Sequence, residues 1–328
     1  MNDTFKDKDI LITGGCGSIG SNIVEQLLNY DVKRIRVFDN SEPGHFFLQQ
    51  DVKSDKVRHL IGDVRDGDRL SVAMQGVDIV FHAAALKHVP FCEYNPFEAV
   101  STNVLGTKNI ISAAIENNVK KIVAISTDKA VNPINTMGAT KMLAEKLLVN
   151  PPGEYDCLFS SVRFGNVLNS VGSVIPIFRE QIKKGGPLTL TDENMTRFFM
   201  TIPEAVELVL ESTKNMKGSE IFVLKMPSVK ISDLAEVMIE ELAPRYNFKP
   251  EDIKVQYIGV RAGEKLYESL LTEEECSITE EKDNMFVIYP DPHSKFTGNA
   301  VKQIVTSNNV KLLDKKEIKE LLYDKKII

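Results

Sequence analysis

The stretch Ile10-Leu-Ile-Thr-Gly-Gly-Cys-Gly-Ser-Ile-Gly20 decides the architecture of this chain. Its first residues read as a buried strand, and the glycines that follow let the backbone turn tightly and approach a diphosphate. The amphipathic pattern from Ser18 to Asn29 then aims the free N–H groups of a helix start at the same spot. A second strand, Arg34-Ile-Arg-Val-Phe38, runs into Asp39, some twenty residues past the glycines. A carboxylate there accepts hydrogen bonds from an adenosine ribose and repels a 2′-phosphate. Strand, glycine turn, helix, strand and acid in this order predict a dinucleotide site at Gly14, Gly17, Ser18, Ile19, Gly20 and Asp39, with NAD favoured over NADP. Glycines alone would mark only a tight turn, and Asp39 could instead cap its own loop.

Outward from that stretch, short apolar runs recur at 57–61, 78–81, 121–125 and 156–162, and helical patterns fill 66–74, 96–117 and 138–149. Strands alternating with helices predict an α/β chain, a doubly wound parallel sheet covered on both faces. Past residue 165 the alternation loosens. Helical patterns at 175–184, 203–214 and 231–242 predict a smaller C-terminal lobe, the first of them stopped by Gly185-Gly186-Pro187. The division is a dinucleotide-binding domain over 1–165, whose core also receives later segments, and a substrate-binding lobe with a tail over 166–328.

Ligands of open α/β sheets lie beyond the carboxyl ends of the strands, and several residues fall there. Asp63 and Val64 follow the third strand; Asp63 meets the adenine edge or caps the next helix. Ala83 and Ala84 follow the fourth, small enough for a cofactor to lie close. The fifth strand ends in Ser126-Thr127-Asp128-Lys129-Ala130. An Asp-Lys dipeptide is most often a solvated loop pair, but one at a strand's carboxyl end is placed for chemistry.

The chain has 328 residues and a net charge of −6, which argues against nucleic acid as the partner. Its four cysteines are far apart, and its five histidines lack ligand spacing, so neither disulfides nor a metal is expected. A polar N-terminus without a signal-peptide core, and no long apolar run, predict a soluble cytoplasmic protein away from membranes.

Thr13-Gly-Gly-Cys-Gly-Ser-Ile-Gly20, Ala83-Ala-Ala-Leu-Lys-His-Val-Pro90, Ser126-Thr-Asp-Lys-Ala130, Arg163-Phe-Gly-Asn-Val167, Met195-Thr-Arg-Phe198 and Arg261-Ala-Gly-Glu-Lys265 together resemble the extended short-chain dehydrogenase/reductases. Within these they resemble the UDP-N-acetylglucosamine 4,6-dehydratases of polysaccharide and flagellin-glycan biosynthesis. The resemblance spans about residues 8–272 and implies a Rossmann-type fold, a bound nicotinamide cofactor, a UDP-sugar substrate and self-association from dimer to hexamer. It also implies that Lys141 binds the nicotinamide ribose, that Arg197 and Arg261 clamp the diphosphate, and that Asn166 contacts the nucleotide or its phosphate. Arg163 and Glu264 belong to the same substrate-binding set, and Lys87 and Glu93 flank the sugar.

One departure matters more than the matches. The superfamily carries Tyr-x-x-x-Lys, and here Met137 stands where the tyrosine would be. A thioether does no acid–base work. The proton traffic therefore falls to Asp128, at the C4 and C6 hydroxyls, and Lys129, at C5. Thr127 either bonds the sugar or caps the turn. The dehydratase expected here retains configuration at C5; a 4-epimerase or reductase, or a non-catalytic dinucleotide-binding regulator, are the other readings.

Overall fold

The computed structural model describes residues 4–328 apart from 152, 154, 171, 291–297, 299, 325 and 326. Its first half alternates as expected: β1 (Asp9–Thr13), α1 (Ser18–Leu27), β2 (Arg34–Asp39), α2 (Glu42–Asp51), β3 (Val57–Ile61), α3 (Gly67–Met74), β4 (Ile79–His82), α4 (Val89–Tyr94), α5 (Pro96–Ala99), a π-helical turn Val100–Leu105, α6 (Gly106–Glu116), β5 (Lys121–Thr127), α7 (Thr136–Val149) and β6 (Leu158–Phe164). The remainder is β7 (Asn166–Val167), α8 (Val174–Lys183), β8 (Leu188–Leu190), β9 (Thr196–Met200), α9 (Ile202–Asn215), β10 (Ile221–Leu224), β11 (Ser228–Lys230), α10 (Ile231–Leu242), β12 (Val255–Tyr257), α11 (Glu273–Cys276), β13 (Thr279–Glu281), β14 (Met285–Ile288) and α12 (Lys315–Asp324).

The main sheet runs β13-β14-β10-β6-β5-β4-β1-β2-β3, and every pairing from β10 to β3 is parallel. β14 and β13 extend it antiparallel. This is the Rossmann-type doubly wound sheet, and the strand order reverses between β1 and β4, the point where such sheets bind ligands. Alternation along β1 shows why both faces must be covered. Ile10 and Ile12 pack on one side with Ile23 and Leu27 of α1, while Leu11 packs on the other with Leu70 and Ile110.

The chain leaves the sheet after Phe164 and returns to it at Ile221 and Met285. Between and after these visits α8, α10 and α12 build a second core around Ile175, Phe178, Leu234, Met238 and Leu322. Several elements escaped the sequence reading, among them α4 and strands β7 to β12, and two departures bear on the packing. α2 begins at Ser41-Glu42-Pro43, with the Ser41 hydroxyl accepting from Gly44 N–H, yet it leaves Phe46 and Phe47 exposed and buries His45. Its apolar stripe is thus too weak to announce a helix. The helix expected over 96–117 is interrupted by the π-helical turn, which carries the buried Asn103.

Candidate functional site

The cofactor end is built from backbone. Gly14 has φ +65°, and a Cβ there would lie 2.6 Å from the Ala84 nitrogen. At Gly20 a Cβ would come within 2.2 Å of the Gly14 oxygen, so β1, the turn, α1 and the Ala83-Ala84 segment touch through bare backbone. Gly17 is the N-cap of α1 and offers no side chain, which leaves the N–H groups of Ser18 and Ile19 for a ligand. The Asp39 carboxylate accepts from Cys16 N–H at 3.1 Å and Ser41 N–H at 2.9 Å, fixing the end of β2 beside the glycines. These residues fit a dinucleotide: a glycine cradle, an uncapped helix start and a carboxylate at the second strand end.

Of the two readings of Asp63, the cap is excluded, because Asp66 caps α3 by accepting from Arg69 N–H. Asp63 instead forks onto Arg65 at 3.0 and 2.7 Å. That arginine bond is the first cause holding its carboxyl down at about 2. Val64 is buried beneath it. Under Ala83, the His82 ring lies between the hydroxyls of Thr13 (2.7 Å) and Thr107 (3.2 Å). Burial, aided by the Lys141 charge, pushes it down to about 3, so the ring is neutral.

At the end of β5, Asp128 is fully buried and Lys129 is bent back on it, with Nζ 2.9 Å from Asp128 Oδ1 and 3.0 Å from Asn166 Oδ1. Thr127 caps the turn. Its Oγ1 accepts from Lys129 N–H and donates to Asp128 Oδ1 at 2.9 Å. Burial works against the Lys129 charge, but the carboxylates of Asp128 and Glu268 outweigh it and raise the lysine above its ordinary value. Asp128 Oδ2 is buried with no hydrogen-bond partner. It is one of two carboxylate oxygens left unbonded in this site, the other being Glu268 Oε2.

One turn apart on α7 stand Met137 and Lys141. Met137 is buried in a small apolar cluster with Cys92 and Ala99. Lys141 donates to the Ile125 carbonyl at 2.5 Å, and burial, opposed by Glu145, lowers it to about 8. α7 is held in place by Asn135, which accepts from Gly138 N–H at 2.7 Å and donates to the Gly263 carbonyl at 2.7 Å. Glu93 accepts from Thr136 N–H, and Lys87 is exposed, with burial of part of its stem lowering it.

The substrate set requires correction. Arg163 is 2% exposed, and its five N–H groups are all used, on Glu145, Glu275 and the Leu270 carbonyl. It has nothing left for a diphosphate and is a strut between α7, β6 and α11. Arg197 is buried likewise, donating to the carbonyls of Thr196, Leu266 and Lys265. The Asn166 side-chain oxygen is taken by Lys129. Arg261 alone of these arginines stays open, its side chain 55% exposed and 4.0 Å from Glu264.

Sequence reasoning missed Glu268 and Asn103. Glu268 lies under Lys129, Arg197 and Lys265 at 3.7, 3.9 and 3.7 Å. Asn103 pairs both ways with the Leu86 backbone and donates to Thr140, locking the loop after β4 onto α7. Neither has a local signal, since each acts across many residues of chain. Among the described residues no cluster of His, Cys, Asp or Glu could hold a metal ion; His293 lies outside them.

Comparison with known proteins gives this arrangement a context. A family model described as polysaccharide biosynthesis protein matches residues 10–290. A Methanocaldococcus jannaschii protein named an uncharacterized membrane protein is 56% identical over 98% of this chain and 97% of its own length. A UDP-N-acetylglucosamine 4,6-dehydratase (inverting) of Campylobacter jejuni is 44% identical, over 90% and 89%. A UDP-glucose 4-epimerase of Rickettsia prowazekii is 41% identical, over 97% and 96%. The X-ray structure of Pen from Bacillus thuringiensis superposes with a TM-score of 0.94 at 45% identity, covering 99% of each chain. No helix among the described residues is long and apolar enough to cross a membrane.

Proposed function

The chain belongs to the polysaccharide biosynthesis family of extended short-chain dehydrogenase/reductases, in the branch of the UDP-N-acetylglucosamine 4,6-dehydratases, and from that premise we propose that it is a C5-retaining 4,6-dehydratase of UDP-N-acetylglucosamine using NAD. The observation that carries this reading is the Asp128–Lys129 pair at the carboxyl end of β5, its aspartate buried and its lysine partly so. Support for NAD comes from Asp39 at the end of β2, where a carboxylate in this fold accepts from the adenosine ribose and disfavours a 2′-phosphate.

A bound nicotinamide would take hydride from C4 and return it to C6. The chain's own residues move the protons. Asp128 accepts the C4 hydroxyl proton at its open Oδ2 and later gives it to the departing C6 hydroxyl, so water leaves with no net redox change. Lys129 removes the C5 proton, made acidic by the C4 ketone, and returns one to the same face. Retention is the outcome proposed for that economy, in contrast to the Campylobacter relatives named inverting. Inversion would need a second donor opposite, and the 137 position supplies only a thioether buried against Cys92. Lys141 orients the nicotinamide ribose, while Arg261 and Glu264 meet the nucleotide end.

The Rickettsia relatives favour 4-epimerisation as a second reading. A 4-epimerase has no use for a base at C5, which Lys129 provides. Incubation with UDP-N-acetylglucosamine in heavy water separates the two. The expected product is a 4-keto-6-deoxy sugar carrying one deuterium at C5, with C5 configuration read from proton couplings. A C4 epimer free of deuterium overturns dehydration in favour of epimerisation.

A further inference from the structure

The proton count of this mechanism leaves one group unassigned, and the structure supplies it. Lys129 rests as an ammonium, with its three N–H groups facing Asp128, Asn166 and Glu268. To remove the C5 proton it must first lose one. Asp128 cannot take that proton, because it has just been filled from the C4 hydroxyl. Asn166 presents an amide oxygen, a poor base. The remaining neighbour is Glu268, 4% exposed, with Oε1 3.7 Å from Lys129 Nζ and Oε2 buried without a hydrogen-bond partner.

We propose that Glu268 is a positioning residue acting through Lys129: it receives the ammonium proton of Lys129 before C5 is attacked and returns it when the cycle closes. This rests on the dehydratase reading and deepens it. The steps balance. The N–H bond of Lys129 breaks as an O–H bond forms on Glu268; the free amine then takes the C5 proton. After hydride return, Lys129 gives a proton back to C5 and recovers its third from Glu268. Lys129, Asp128, Arg197 and Lys265 are the charged groups facing Glu268. Burial, with Asp128 adding to it, raises the Glu268 carboxyl above its ordinary value, which suits a transient acceptor. Transfer needs the 3.7 Å separation to shorten to about 3 Å.

The surroundings favour a built device over a leftover charge. Glu268 sits on the segment that follows Arg261-Ala-Gly-Glu-Lys265, whose Lys265 donates to the Val131 carbonyl at 2.7 Å beside the catalytic turn. Its backbone is clamped from both sides by Ser307. A carboxylate held so firmly, yet with one oxygen unbonded, is positioned and incomplete at once.

The test compares wild type with Glu268→Gln and Glu268→Asp. In single turnover with UDP-N-acetylglucosamine, Glu268→Gln should still form reduced cofactor, because Asp128 serves C4, while solvent deuterium enters C5 at least tenfold more slowly near neutral pH. Raising the pH should recover the loss as solvent base takes the Lys129 proton. Glu268→Asp should fall between. A second readout needs no turnover: labelling of Lys129 by acetic anhydride, followed by peptide mass spectrometry across pH, should show its midpoint about one unit lower in Glu268→Gln. An unmoved midpoint, or a uniform loss of both half-reactions at every pH, overturns the role of Glu268. Absence of any dehydration product from wild type overturns the dehydratase reading instead, whatever the labelling shows. Should the glutamine variant fail to fold, wild-type deuterium entry at C5 in Glu268→Asp overturns the proposal and slowed entry supports it.

Discussion

Two places in this molecule bury a cation between two carboxylates, and they are finished differently. In the Glu145–Arg163–Glu275 knot all five guanidinium N–H groups have acceptors, four on carboxylate oxygens and one on the Leu270 carbonyl. In the Asp128–Lys129–Glu268 cluster one oxygen of each carboxylate has no hydrogen-bond partner. Burying charge costs several kcal/mol per ion, so an interior that does so must recover it through complete bonding or use what it leaves open. The saturated cluster ties helix to strand, and the unsaturated one has room for a substrate's proton. The difference teaches that in this fold burial of a charge by itself says little about function, and that an unbonded acceptor gains meaning from its place at a strand's carboxyl end, since Asp9 keeps one at the opposite end of β1.

Neutralising the open cluster should produce the largest effect. Asp128→Asn keeps the shape and keeps an acceptor for Thr127 and Lys129, but cannot take a proton. Turnover of UDP-N-acetylglucosamine should fall about a thousandfold, roughly 4 kcal/mol of barrier, with the fold retained by circular dichroism. A variant that keeps more than a tenth of wild-type turnover would break the comparison at its functional side.

Next in size is the closed cluster, where the effect should appear in stability and not in chemistry. Arg163→Met leaves Glu145 and Glu275 facing each other in the interior, and denaturant unfolding should show a loss of about 3 kcal/mol. Turnover per folded molecule should stay within twofold of wild type. Loss of substrate affinity without loss of stability would instead return Arg163 to the diphosphate.

The same contrast explains what the sequence could and could not reveal. The cofactor end was legible because its parts are contiguous. Gly14, Gly17, Gly20 and Asp39 lie on one strand-turn-helix-strand unit, and their spacing is the geometry. Asp128 and Lys129 were legible through their place at a strand's carboxyl end. Arg163 was misread because a residue type does not disclose whether its donors are already spent, and Arg197 because it does not disclose burial. Glu145 and Glu275 sit 18 and 112 residues from Arg163, so only the folded chain shows the pairing. Glu268 was invisible for the same reason, since its position under Lys129 is fixed by a segment that crosses from the second lobe. α2 was missed because the face it buries includes His45 and the face it exposes includes Phe46.

A third interior group sharpens the comparison with no charge at all, and its effect is the smallest. His82 is saturated like Arg163, held between Thr13 and Thr107, but it is neutral because burial pushes it down to about 3. The folded chain therefore binds fewer protons at this ring than the unfolded chain does between about pH 6.5 and pH 3. Wherever the unfolded state binds more protons, stability rises with pH, so this contribution is present above pH 6.5 and drains away on acidification. Between pH 7 and 5.5 the loss assigned to His82 should be about 1 kcal/mol. His82→Gln keeps an amide between the two threonines and does not titrate, so urea unfolding of that variant should show a shallower decline over the same range. An identical pH slope in the two proteins would mean that His82 can leave its pocket to be protonated without unfolding the chain. The floor beneath Ala83 would then be a movable part of the cofactor site, and not the closed counterpart of the Asp128–Lys129 cluster.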